Sequence, residues 1–448
     1  MPPGWSRAPL GSLVEPRTGK VDPQATPDAK FIGLEHVEAH TMRLLGTVSA
    51  GTMKSGANTF ERLDVLYGRM RAYLNKVYQP DFSGLCSGEF IVLPETSAAL
   101  GRFLKYRLNS GDFVRFANHL NTGDRPRVDF DQIKMFDVLL PPRAEQERIA
   151  DALDELLSDL DAGVAALVRV QAKLTQYRAA VLKAAVDGSL VPAAKLYPIR
   201  RIGDAIESLG QGWSPKCESS PSPDAETWAV IKTTAIQPLR YLEEHNKTLP
   251  SALKPRPHLE LVKGDLLITR AGPRSRVGIA CLVRQTRPRL ILCDKAYRLR
   301  CKKDTLSPAF LEVVLNAPHI VAEVDKLKTG INDSGLNLTQ DRFAELLVPF
   351  PPTRDQEAIV EAVEGRLSVI EHLEADLEAK LKSAQALRQS ILRHAFTGQL
   401  VPQDPKDEPA VERLKRIAVQ SSELDRQSQA AQKAKPKAPL KRATEKTR

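Results

Sequence analysis

Two stretches of the chain carry the same alternation of apolar and polar positions. Residues 141–192 and 351–402 align without a gap at an offset of 210, with 17 of 52 positions identical. Both open on Pro-Pro, keep Gln146/Gln356 and Ile149/Ile359, and leave through Gly188/Gly398 and a Leu-Val-Pro. Pro-Pro suits a helix start, Gly with a following Pro suits its end, and no proline falls between them. Each stretch is predicted as one helix of about 44 residues, roughly 65 Å long at 1.5 Å per residue. In the first, Leu153, Leu160, Leu167, Leu174 and Val181 recur every seven residues. A second seam is expected three residues on, at Leu156, Gly163, Val170, Tyr177 and Ala184. The second stretch keeps the phase with Val363, Ile370, Leu377, Ala384 and Ile391, while Arg366, Lys380 and His394 interrupt Leu373 and Leu387 in its partner seam. A heptad pattern held this long argues for a coiled-coil pair, antiparallel because a globular stretch separates the helices.

The globular stretches repeat as well. Short apolar runs at Phe31-Ile-Gly, Val65-Leu-Tyr and Phe90-Ile-Val-Leu read as strands in the first, and residues 97–120 as one or two helices. In the second, Ala229-Val-Ile, Asp265-Leu-Leu-Ile, Gly278-Ile-Ala-Cys-Leu-Val and Leu290-Ile-Leu-Cys read as strands, with a helix at about 307–327. Leu10-Gly11 answers to Ile202-Gly203, and Asp-Val-Leu-x-x-Arg at 64–69 to Asp-Leu-Leu-x-x-Arg at 265–270. Phe103-Leu104, Leu108-Asn109 and Thr122-Gly123 recur 207 residues later as Phe310-Leu311, Leu315-Asn316 and Thr329-Gly330. The expected class is α+β, an internally duplicated chain of head (1–140), helix (141–192), head (193–350) and helix (351–402). Residues 403–448 follow as a basic tail with a short amphipathic piece at 410–418, expected to be disordered beyond about 420.

Composition changes this picture little. The net charge of +10 lies mostly in the last sixteen residues, where seven Lys/Arg face one Glu, so the body carries about +4. No apolar run is long enough to cross a membrane and no signal peptide is visible, so a cytoplasmic protein is expected. Five dispersed cysteines read as reduced core residues. No phosphate-binding G-x-x-x-x-G-K-[ST] loop, Asn-Pro-Pro-aromatic methyltransferase motif or metal-ligand histidine spacing occurs, and Glu378-x-Lys380 falls on the heptad helix. No catalytic residue and no metal site is expected in this chain.

Basic side chains near turns remain. The first head offers Arg69, Arg71 and Lys76, then Arg125 and Arg127. At matching places the second offers Arg270, Arg274 and Arg276, then Lys326, Lys328 and Asn332. Such residues neutralise phosphates and read base edges. The helix starts are Leu-Leu-Pro-Pro-x-x-x-Gln-x-x-Ile and Pro-Phe-Pro-Pro-x-x-x-Gln-x-x-Ile, and both exits read Gly-x-Leu-Val-Pro. In these, over residues 1–402, the chain resembles the specificity subunits of type I restriction–modification systems. That resemblance implies two target recognition domains reading the halves of a bipartite asymmetric double-stranded DNA target, spaced by the helices. It also implies adenine-methylating modification subunits, two of them, and restriction subunits as partners. S-adenosylmethionine, ATP and Mg would be bound by those partners and no cofactor by this chain. The basic tail lies outside the family pattern. The competing expectation is a coiled-coil protein-interaction adaptor without DNA specificity.

Overall fold

The computed structural model describes residues 1–120, 126–191 and 197–434. The chain is α+β and forms two compact units, Met1–Ala166 with Lys380–Arg448, and Leu167–Ala379. The boundary differs from the expected head-then-helix order, because each unit takes one half of each long helix.

In the first unit, Ser6–Pro9 pairs antiparallel with Asp137–Leu140, the strand that runs into the first long helix. A five-stranded sheet follows the spatial order Lys20–Val21, Ala57–Phe60, Gly84–Ser87, Lys30–Ile32, Val48–Ser49. A three-stranded sheet places Val65–Gly68 between Val77–Tyr78 and Phe90–Leu93. Every residue of Val65–Gly68 and Phe90–Leu93 is buried, which is why these read as unbroken apolar runs instead of alternating ones. Residues 97–120 form two helices, Gly101–Asn109 and Gly111–His119.

The second unit repeats the plan by itself. Ile199–Arg201 pairs antiparallel with Leu347–Pro349 ahead of the second long helix. One sheet runs Ile206–Gln211, Ala296–Cys301, Leu266–Thr269, Ala280–Leu282, and another Asn246–Thr248, Ala229–Ile231, Leu290–Ile291. In both units the strand at Lys30–Ile32 or Ala229–Ile231 has one antiparallel and one parallel neighbour. The single helix expected at 307–327 is two, Pro308–Leu315 and Pro318–Leu327. Pro318 starts a new helix because it has no N–H to offer a preceding turn.

The repeated motifs turn out to be structural locks. Leu10 and Ile202 donate their backbone N–H groups to Phe136 and Leu346 (2.9 and 2.7 Å), tying each head's first strand to its last. The glycine after each must stay bare: a Cβ on Gly11 would lie 2.9 Å from Lys134 Cβ, and one on Gly203 3.0 Å from the Ala344 carbonyl. Asp64 accepts from the N–H of Glu61 (2.8 Å) and Asp265 from that of Val262 (3.0 Å), closing the same turn. The residue before each Asp is left-handed, Leu63 at φ +71° and Gly264 at φ +94°.

The long helices are Arg143–Val186 and Thr353–Phe396, 44 residues each. Gly188 and Gly398 sit just past their ends at φ +76° and +72°, left-handed caps that a residue with a Cβ adopts at a cost. The primary seam is as expected: Leu153, Leu174, Val181, Val363, Ile370 and Leu377 are buried, and Leu160, Leu167, Ala384 and Ile391 half-buried. The partner seam is not. Leu156, Val170, Tyr177, Leu373 and Leu387 are exposed, as are Gly163, Arg366, Lys380 and His394. The facing row lies four residues on, at Leu157, Val164, Arg178 and Ala185 in the first helix and Leu367, Glu374, Arg388 and Ala395 in the second. Spacings of three and four both keep a helical face, so the primary seam alone did not decide between them. The helices pack on each other in both units. In the second unit Leu174 packs with Ile370 and Leu377, and Arg178 pairs with Glu374 at 2.8 Å. In the first, Arg388 pairs with Asp161 at 2.6 Å. Arg178 and Arg388 hold the same place in the repeat.

The C-terminal segment corrects the expected tail. Its helix runs Ala410–Ala434, because residues 410–434 hold neither Gly nor Pro and are rich in Ala, Gln, Glu, Lys and Arg. Its start belongs to the first unit's core, with Ala410 buried and Leu414 and Ile417 against it. Ala410 N–H donates to Gly4 (2.9 Å), Arg413 to the Ser97 carbonyl (2.7 Å), and Arg148 pairs with Asp407 (2.6 Å). Residues 435–448, which hold six Lys/Arg against one Glu, lie outside the described residues.

Candidate nucleic-acid interface

Each head is fastened to its helix through one glutamine. Gln146 is buried; its Oε1 accepts from Leu100 N–H (2.8 Å) and its Nε2 donates to the Ala98 and Pro141 carbonyls (3.1 Å each). Gln356 repeats all three contacts, with Ser307 N–H (2.7 Å) and the Thr305 and Pro351 carbonyls (2.8 and 2.9 Å). An amide supplies acceptor and donors on one planar head, which neither Glu nor Leu would do. The repeat shows this Gln in the sequence, but its partners in the head lie 46–51 residues away and no spacing reveals them.

The candidate cations fare differently from one another. In the first unit Arg69 pairs with Asp129 and Arg127 with Glu89 (2.6 Å). Lys76 Nζ donates to the Leu34 carbonyl (2.6 Å). Arg71 is exposed, left-handed at φ +53°, and its side chain contacts no partner among the described residues. Arg125 and the Thr122-Gly123 pair lie outside the described residues. In the second unit Arg276 donates to the Thr233 and Ile236 carbonyls (2.6 and 2.7 Å) and to Gln237 Oε1 (3.2 Å), and burial lowers its pKa. Arg270 donates to the Asp294 carbonyl (3.1 Å) and lies over Tyr297. Lys328 is nearly buried, its Nζ on Asp325 (2.8 Å) and the Arg274 carbonyl (2.9 Å). These three brace the fold. Lys326 pairs with Glu323 at 2.7 Å on the exposed face.

Arg274 is also exposed, and it is held by two carboxylates, Asp325 (2.6 Å) and Asp333 (3.0 Å). Asp333 belongs to a loop closed at its base by the Thr329 and Asn337 backbones (2.8 and 2.7 Å). Ile331 stands fully out at the loop's tip, and Asn332 beside it is exposed. Surface pairs of this kind are weak because water screens them, so Arg127 and Arg274 can exchange a carboxylate for a phosphate at little cost. The carbonyls held by Arg270 and Arg276 wall a cleft lined by Lys232, Lys247 and Lys295. Sequence reading missed these lysines because Lys247 lies on the strand Asn246–Thr248 while Lys232 and Lys295 sit in the connections beside two other strands, far apart in the chain. Among the described residues no His/Cys/Asp/Glu group could hold a metal, and no helix is long and apolar enough to cross a membrane.

This duplicated α+β fold is that of the specificity subunits of type I restriction enzymes. A chain from a structure of type I R-M complex assembly and conformational transition matches at TM-score 0.71 and 20% identity, over 89% of this chain and 99% of that one. The HsdS subunit of Thermoanaerobacter tengcongensis matches at TM-score 0.50 and 21% identity, over 89% and 98%. In sequence the chain resembles the same class. It is 38% identical over 185 residues to the EcoEI specificity subunit of Escherichia coli, spanning 41% of this chain and about 30% of that relative's length. It is 25% identical over 351 residues to the EcoKI specificity subunit of Escherichia coli strain K12, spanning 75% and 73%. No family model matches the chain.

Proposed function

We propose that this chain is the non-catalytic DNA-recognition subunit of a type I restriction–modification complex, each head reading one half of a bipartite, asymmetric target. The observation that carries the reading is the doubled head, locked to its helix by the same glutamine contacts in a fold shared with specificity subunits. The heads' surfaces differ, so their half-sites differ. The helices set the spacing and dock two modification subunits, and the exposed apolar side chains Leu156, Val170, Tyr177, Leu373 and Leu387 suit such docking. Methyl transfer and cleavage belong to partner chains, which bind S-adenosylmethionine, ATP and Mg. Residues that approach DNA include Arg71, Arg127, Arg274 and Asn332, with Arg69, Lys76, Arg270, Arg276 and Lys328 bracing them. Methylation mapping in cells expressing the chain with its modification subunit tests this. A gapped motif is expected, and replacing residues 1–140 by another head should change one half only. An ungapped motif, or change in both halves, would overturn it.

A further inference from the structure

The second unit holds a cleft of about 460 Å³ lined by Lys232, Lys247 and Lys295, with the hydroxyls of Ser214, Thr233 and Thr234. None of the three ammonium groups has a hydrogen bond or ion pair among the described residues. Asp294 is the one carboxylate in the lining. Three lysines against one carboxylate give the hollow a net positive charge, which suits an anion.

The hollow is fixed in shape. Lys247 lies opposite Val230 in the antiparallel pair, and Lys232 follows the same strand, its N–H on the His245 carbonyl (2.8 Å). Lys295 is held by Arg270, whose N–H donates to the Lys295 carbonyl (2.8 Å). Ser214 Oγ accepts from Asp294 N–H (3.1 Å), which leaves the hydroxyl hydrogen free to donate. Arg276, on the Thr233 carbonyl, anchors the far wall.

The fold does not require these lysines. By strand register, Lys30–Ile32 of the first unit stands for Ala229–Ile231, which sets Gly33 at the place of Lys232 and Val48 at that of Lys247. Arg69 donates to the Glu89 carbonyl as Arg270 does to that of Lys295, so Glu89 takes the third place. Gly, Val and Glu stand where the second unit has three lysines.

We infer that this cleft seats a backbone phosphate of the DNA duplex, anchoring the second head while other residues read bases. Lysine suits this as a compact point charge with rotatable donors, and the hydroxyls complete the shell. The inference rests on the DNA-reading proposal. Its test uses the chain in complex with its modification subunits and the mapped target. The triple variant Lys232→Gln, Lys247→Gln, Lys295→Gln should bind with a shallower dependence of log Kobs on log[salt], by about 0.9 for each phosphate no longer neutralised. Its methylation motif should stay the same, and Lys→Arg at the three positions should restore the slope. An unchanged slope in a triple variant that melts normally, beside a wild type that binds its target, overturns the cleft and leaves DNA reading standing. Absence of salt-sensitive target binding by the wild-type complex would remove both. Inorganic phosphate titrated at constant ionic strength separates the sources. Weak binding, with no effect on DNA affinity until high concentration, is expected. Tight binding that leaves DNA affinity untouched would assign the cleft to a small phosphate and overturn the inference.

Discussion

The two units solve one packing problem with opposite charges. Asp154 and Glu364 hold the same place on the two long helices, and each reaches toward its own head. In the first unit Asp154 accepts from Arg102 Nε (2.9 Å) and from Tyr106, with Lys105 at 3.4 Å. In the second, the place of Lys105 is taken by Glu312, fully buried, and Arg284 bridges it to Glu364 (2.8 and 3.0 Å). The cation moves from the helical layer of the head to the bend after the strand Ala280–Leu282, and the helix carboxylate stays. What duplication preserves is therefore the joint between head and helix. What it releases is the chemistry of the head.

That contrast is sharpest where it predicts equality. If both units share one helix seam, Ile370→Ala should cost about 3–4 kcal/mol of stability, since Ile370 is fully buried. Leu373→Ala, three residues on and 42% exposed, should change it by less than about 0.5 kcal/mol. Chemical denaturation distinguishes the two. Similar losses would return the packing to the three-residue seam.

The glutamine lock comes next. Gln146→Ala and Gln356→Ala each strand a buried N–H and two carbonyls, for a loss of about 2–3 kcal/mol. Calorimetry should show each variant lowering the transition of its own unit by a similar amount. A large loss in one and none in the other would mean that the joint is not shared.

Acid should separate the units. Asp112 pairs with the buried Arg107 at 2.7 Å; burial alone would raise its pKa, but the guanidinium and Ser110 hold it down at about 2, against 3.8 ordinarily. Asp154 is likewise lowered against burial, by Tyr106, Lys105 and Arg102. Depressed carboxylates contribute stability above their unfolded pKa and lose it as pH falls toward the folded one. Burial raises the pKa of Glu312, which acts the other way: its carboxyl is favoured protonated, and its contribution fades as pH rises through the folded value. The second unit also has depressed carboxylates, Asp325 beside Lys328 and Asp224 beside Thr227, but both face solvent and count for less. Between about pH 4 and 2 the first unit should therefore lose stability faster than the second. Asp112→Asn should flatten that loss and lower stability at pH 7 by about 2 kcal/mol, less than for a fully buried pair because Asp112 is half exposed.

Much of this architecture was legible because duplication prints it twice. The Pro-Pro starts, the glycine exits, the primary seam and the Asp-x-Leu-x-x-Arg turns all appear in both copies, and each has a local cause. The partner seam was misread because a heptad row has exposed neighbours of the same period, and Leu156, Val170 and Tyr177 are apolar without being buried. The C-terminal helix was underestimated because composition speaks for its end, while its beginning is fixed by contacts with Gly4, Ser97 and Arg148. The candidate cations show the commonest limit. Sequence finds arginines at conspicuous turns, and turns need arginines to hold carbonyls: Arg270 and Arg276 do that, and the free charge lies on lysines beside them.

Arg274 gives the smallest and most specific test of how the heads differ. It sits at the edge of the 329–337 loop with both its carboxylate partners exposed enough to be exchanged. Arg274→Ala should weaken binding to the target about fivefold, the size of effect expected from a single contact to DNA. Because the residue belongs to one head, the loss should relax the methylation motif in one half and leave the other as it was. Arg276→Ala should instead lower the second unit's thermal transition, since its loss removes the guanidinium donors that tie the Thr233 and Ile236 carbonyls and Gln237 together. If Arg274→Ala reduces both halves equally, the head does not read its half independently, and the shared joint rather than the divergent surface would be setting specificity.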